Sequence, residues 1–130
     1  MSNIRNADKI SEIGCVPCIL IQMHAARPGD IHHPFGRKGE NYHRVYCSCP
    51  WHHRGVTEGN MSRQEMGGIL GPSLAWGSKT FRATFGTEED LLDVQRFLLK
   101  EFEESPWMTY STPTGVRRRA LELWTSLKRH

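Results

Sequence analysis

Two short knuckles constrain this chain more than anything else in it. Cys15-Val16-Pro17-Cys18 and Cys49-Pro50-Trp51-His52 each place two soft donors three positions apart. Together they supply three sulfurs and one nitrogen, a normal tetrahedral set for structural zinc. Gly14 and Pro17 suit a sharp turn that aims the first two thiols at one point. A metal held this way ties the N-terminal knuckle to the 47–54 stretch. The rival reading is four buried free cysteines with His52 at the surface. Cys47 is the odd thiol. Its i+3 neighbour is Pro50, which has no ligand atom, so Cys47 is assigned to the core. The stretch Met1 to Ile13 is polar, and no apolar run approaches membrane-spanning length. The expectation is therefore a cytoplasmic protein with no membrane partner, where thiols stay reduced and cysteines serve metals rather than disulfides.

The zinc set uses one histidine of seven, and five of the seven lie between His32 and His53. Two adjacent pairs, His32-His33 and His52-His53, stand among them. Neighbouring helix residues point about 100° apart, so a His52 bound to zinc leaves His53 facing another site. Neighbouring strand residues point to opposite faces, so His32 and His33 divide in the same way. One histidine of that pair can hold a metal while the other acts as a base. With basic groups nearby, these are the parts for phosphodiester hydrolysis. The bland alternative is a set of ordinary structural or solvated histidines.

The 130 residues match one domain, expected over 1–130 with its core at about 14–104. Low apolar content makes a metal staple useful. Charge is unevenly placed. Residues 1–86 carry 10 Lys and Arg against 6 Asp and Glu, residues 87–105 carry 2 against 7, and residues 106–130 carry 5 against 1. DNA should touch the first and last regions and avoid the acidic middle. Residues 1–13 read as a polar lead-in with at most one helical turn, and Ile19 to Met23 as a short strand or turn. Asp30 to His33 ends a strand, Pro34 to Gly39 is a basic loop, and His43 to Cys49 is a second strand. Pro50 opens a short helix that Gly55 stops. Asn60 to Lys79 reads as a long irregular loop, with Phe81 to Phe85 extended or turned. Thr87 to Asp90 form a capping box for a helix over about 88–104, its face set by Leu91, Val94, Leu98 and Phe102. A basic helix over about 114–129 ends the chain, with Val116, Ala120, Leu123 and Leu127 on one face. Trp51, Trp76, Trp107 and Trp124 are assigned to packing.

Asp30-x-His32-His33, a Gly-rich loop, a short strand and Cys49-x-x-His52-His53 resemble the HNH, or ββα-metal, nucleases. Adding Gly14-Cys15, Cys49-Pro50-Trp51-His52-His53-Arg54-Gly55, Gly71-Pro72-Ser73-Leu74-Ala75 and Phe85-Gly86-Thr87-Glu88 makes the chain similar to the phage recombination-enhancement, RecA-dependent nucleases. The resemblance implies an α+β fold: a small ββα-metal, treble-clef-like core with structural zinc and C-terminal helices. It implies a DNA endonuclease that uses a catalytic Mg, Mn or Zn ion. His33 would be the general base, and His32 and His53 the ligands of that ion, with the His32 and His33 roles open to exchange. Asp30 would orient a ligating histidine. His43, near the middle position of the motif, would orient the base or complete the metal site. Arg37, Lys38 and Arg54 would contact phosphates, joined by Arg117 and Arg118 of the last helix. DNA and a RecA filament would be the partners, in a bacterial host's cytoplasm. The chain departs from the family by having Ala75-Trp76 where some relatives carry a further histidine, and only 13 residues before Gly14. The alternative function is a non-catalytic zinc module that binds nucleic acid or a recombinase. Such a module leaves His32, His33 and His53 without a task.

Overall fold

The structure, a computed structural model, describes residues 7–21, 29–104 and 114–128. His24, Trp107, Arg129 and His130 fall outside them. The architecture is mixed, with helices around one two-stranded sheet. Helix α1 (Ala7–Ile13) takes the place of the expected polar lead-in. Its buried Ile10 and Ile13, three positions apart, share one helical face. The first knuckle, with the start of the segment expected as a short strand or turn, is also helical. In α2 (Val16–Leu20) Cys15 is the N-cap, its sulfur accepting the Cys18 N–H at 3.4 Å, and Pro17 fits the first turn.

Strand β1 (Asp30–His32) pairs antiparallel with β2 (Tyr46–Ser48), in the register Asp30 to Ser48, Ile31 to Cys47 and His32 to Tyr46. This register puts Asp30, His32, Tyr46 and Ser48 on one face. Ile31 and Cys47 take the other, where a small cluster with Ile10 and Val45 covers them. Burial, then the nearby Cys49 and Cys18 sulfurs, push the Cys47 thiol up to about 12, so it remains a protonated core residue. The second strand is shorter than its sequence suggests. His43 belongs to a 3-10 turn, Gly39–His43, that precedes it. Helix α3 (Pro50–Arg54) follows directly, opened by Pro50 and stopped by Gly55 at φ +70°, a left-handed conformation that glycine adopts freely.

The stretch expected as a loop, Asn60 to Lys79, contains one helix and the start of another, which takes the place of the extended or turned Phe81 to Phe85. Ser62 and Glu65 make a reciprocal capping box for α4 (Arg63–Leu70). A 3-10 turn, Leu74–Trp76, then leads into α5 (Ser78–Phe85). Burial of Met66, Leu70, Phe81 and Phe85 holds these helices despite Gly67 and Gly68. Helix α6 (Glu88–Glu104) has the expected reciprocal bonds between Thr87 and Asp90, at 3.0 and 3.2 Å. Leu91, Val94, Leu98 and Phe102 are all buried. Helix α7 (Thr114–Lys128) packs on α6 through buried Val116 and Ala120. It reaches α5 through the Trp124 indole N–H, which donates to the Phe85 carbonyl at 2.6 Å. No described helix is long and apolar enough to cross a membrane.

Candidate metal centres

The two knuckles meet as their spacing predicts. Cys15, Cys18, Cys49 and His52 are fully buried, and their ligand atoms all lie within 4.8 Å of one another. Cys18 Sγ is 3.8 Å from Cys49 Sγ, and His52 Nδ1 is 3.2 to 3.6 Å from the three sulfurs. A zinc tetrahedron with bonds of about 2.3 Å to sulfur and about 2.0 Å to nitrogen has S···S edges of about 3.8 Å and S···N edges of about 3.5 Å. The four residues therefore fit a structural zinc. The His52 Nε2–H donates to the Leu70 carbonyl at 2.6 Å, which leaves Nδ1 bare and aimed at the sulfurs. Burial raises the Cys15 thiol, whereas hydrogen bonds from Cys15 and Cys18 hold Cys49 well below the usual thiol range. Burial opposes charge on His52, but hydrogen bonds to Cys18 and Cys49 outweigh it and push its pKa up to about 9. This pocket draws a proton to His52 beside a thiolate, and a metal cation answers the same field.

His53 points elsewhere. Its Nε2 faces His32 Nδ1 at 3.2 Å, with ring centroids 4.7 Å apart. Each ring is backed by a carboxylate. His32 Nε2 is 2.9 Å from Glu88 Oε1, and His53 Nδ1 is 3.2 Å from Asp30 Oδ2. An ionised carboxylate only accepts, so each backed nitrogen carries the proton. In neutral rings the two facing nitrogens are then both bare lone pairs. At 3.2 Å they repel each other unless a cation lies between them or one ring takes a second proton. The hydrogen bond from His32 holds the Glu88 carboxyl below the usual carboxylate range, against burial, with further help from Tyr46 and Arg82. The Tyr46 hydroxyl donates to the same oxygen at 3.3 Å. Burial, then the Glu88 charge, push this phenol well above its ordinary value, so it remains a donor.

The remaining sequence-predicted residues sit around this pair. Asp30 also accepts Arg54 Nε at 2.8 Å, which ties the start of β1 to the end of α3. His33 follows the strand. Its two ring nitrogens are buried and have no hydrogen-bond partner among the described residues, and its ring lies 5.4 Å from that of Tyr42. Burial, then the charges of Arg37 and His32, lower its pKa, with the Tyr42 backbone acting weakly the other way. His43 lies edge-on against Tyr42. Arg37 and Lys38 are exposed in the basic loop, and Arg118 is exposed on α7 while Arg117 is half-buried. Glu88 is the residue that sequence reasoning missed. It stands 56 positions from His32 and served there only as an acidic helix start, so no local pattern marks it.

The family described as recombination enhancement, RecA-dependent nuclease matches residues 2–100. The chain belongs to this family. Its name assigns nuclease activity in recombination and links that activity to RecA. The match spans both clusters and ends inside α6, before α7. No curated protein and no solved structure matched the chain.

Proposed function

We propose that the chain is a metal-dependent DNA endonuclease of the HNH type, built on β1, β2 and α3, and that His32 and His53 hold its catalytic ion. One observation carries this reading: two imidazoles, each fixed by a carboxylate as a proton donor on its far side, turn bare nitrogens toward each other at 3.2 Å. Nitrogens about 2.1 Å from a shared metal lie about 3.0 to 3.4 Å apart, so the pair fits an ion without rearrangement. When bound, a divalent ion supplies Lewis acidity toward a phosphodiester oxygen. Two imidazoles favour zinc-like transition ions over Mg.

The chain's own groups do the rest. Asp30 orients His53, Glu88 orients His32, and Tyr46 in turn steadies Glu88. Arg54 is fixed by Asp30 and lies where a phosphate approaching His53 would meet it. His33 takes the proton of the attacking water. It is the neighbouring histidine whose ring nitrogens bond to no side chain. No carboxylate claims its ring, whereas both nitrogens of His32 are engaged, and a turn of the buried His33 ring would bring one to water. That contrast supports His33, not His32, as the base. Arg37, Lys38, Arg117 and Arg118 add phosphate contacts, and the partner is RecA, to which the family name points, acting as a filament on single-stranded DNA.

The test is nicking of supercoiled plasmid by the wild type and by His33→Ala, with Mg, Mn, Ni or Zn, with and without RecA on single-stranded DNA. The expected result is metal-dependent cutting by the wild type and none by the variant. A chain that carries tight zinc but cuts under no condition would be a zinc-stabilised binding module instead.

A further inference from the structure

Among the tryptophans of the described residues, Trp76 is the exception. Trp51 is buried and Trp124 is half-buried, but Trp76 is 55 % exposed. It is nevertheless firmly seated. Ser73 caps the turn that carries it, accepting the Ala75 N–H at 3.2 Å. The Trp76 indole N–H donates to the Gly55 carbonyl at 3.1 Å. A Cβ at Gly55 would lie 2.2 Å from that same nitrogen, so the seat exists only because residue 55 has no side chain. The Arg63 guanidinium lies over the ring, 4.1 Å from its centroid. Beside the ring opens a cleft of about 360 Å³, lined also by Trp51, Gln64 and Thr80. Sites for small organic groups begin at roughly this size.

The position of the cleft is as informative as its lining. Gly55 closes the short helix that carries His53 and Arg54, so the indole is tied to the end of the helix that carries a proposed metal ligand. An exposed indole face, a guanidinium, an amide and a hydroxyl form the chemistry that stacks a base and pairs its phosphate. A large ring held rigid in solvent forgoes the burial that usually stabilises tryptophan, and a ligand that covers it restores that burial.

We propose that the cleft beside Trp76, lined also by Arg63, takes an unpaired nucleobase, with its phosphate, from DNA bound for cutting at the histidine pair. The proposal rests on the nuclease reading above. Stacking on Trp76 requires a base out of its pair, so the cleft selects single-stranded or locally opened DNA over intact duplex. A base that stacks on the face Arg63 covers displaces its guanidinium from the indole, which frees it to pair the phosphate.

The experiment measures binding of the full chain, with its zinc and without added divalent ions, to a fluorescent single-stranded oligonucleotide and to its duplex. Trp76→Ala should weaken single-strand binding about tenfold and leave duplex binding within about twofold. Trp76→Phe, which keeps a π-face, should regain most of the loss. Arg63→Ala should weaken binding and lower the salt slope by about one. Zinc content and melting temperature report whether each variant is folded. Single-strand affinity within twofold of wild type in folded Trp76→Ala would overturn the proposal, as would equal losses on both substrates. Wild-type plasmid cutting is scored separately. A Trp76-dependent preference in a protein that never cuts removes the nuclease reading and keeps the cleft, whereas normal cutting with an indifferent Trp76 removes only the cleft.

Discussion

His52 and His53 are adjacent, yet they belong to clusters of opposite character. His52 is fully buried and completes a set of four donors supplied entirely by the chain. His53 is half-buried and meets only one other nitrogen, His32, with carboxylates behind both. A closed four-donor site holds structure, whereas a site with few protein ligands leaves positions for water and substrate. The carbonyl of Leu70 fixes the proton of His52, and the carboxylates of Asp30 and Glu88 fix those of His53 and His32. The same device, a proton pinned on the far nitrogen, serves both sites. Exposure and donor count separate the two clusters.

The contrast is sharpest where stability is concerned. Cys49→Ser should remove the zinc and with it the cooperative fold. Structural zinc sites contribute about 10–16 kcal/mol, as much as the whole stability of a typical domain, about 5–15 kcal/mol. Loss of the thermal transition in circular dichroism, with zinc content read by mass spectrometry, checks this. An unchanged melting temperature would dissolve the distinction between the sites. His33→Ala should do the reverse, lowering plasmid cutting by about 10²- to 10⁴-fold while zinc content and melting temperature stay at wild-type values.

Glu88→Ala tests whether α6 takes part in the open site. Loss of an outer partner of a metal ligand typically lowers metal affinity about 10- to 100-fold. Calorimetric titration with Mn should show a drop of this size, with Glu88→Gln intermediate because its amide oxygen still accepts from His32. Equal Mn affinity in wild type and Glu88→Ala would leave Glu88 a mere helix start. Arg54→Ala should give the smallest effect. Its ion pair with Asp30 is 57 % and 39 % exposed, and such pairs contribute about 0–1 kcal/mol to stability. Melting should therefore barely move, and cutting should fall only a few-fold; a large drop in melting would show that the open site also carries the fold.

The closed site was legible from the sequence because its logic is local. Each knuckle is a three-residue spacing, and only the meeting of the two needs the fold. Helices α6 and α7 and the start of α3 were legible for the same reason, through a capping box, a 3.6-residue period and Pro50 followed by Gly55. Helices α4 and α5 were hidden because Gly67, Gly68 and several serines mask a weak period, and burial of Met66, Leu70, Phe81 and Phe85 decides the matter. The Ser62 and Glu65 capping box was a readable signal for α4. The open site was half legible. Asp30, His32 and His53 lie within one stretch, but Glu88 joins them only through packing of α6 on the sheet. Exposure of Trp76 had no sequence signature, because tryptophan is normally read as core.

The most direct test compares His52→Ala with His53→Ala, reading zinc content, thermal unfolding and plasmid cutting on the same preparations. His53→Ala should keep one tight zinc and the wild-type transition and lose cutting, while His52→Ala should lose both zinc and fold. Zinc loss in His53→Ala, or full cutting by it, would contradict the division of the two histidines between two metals.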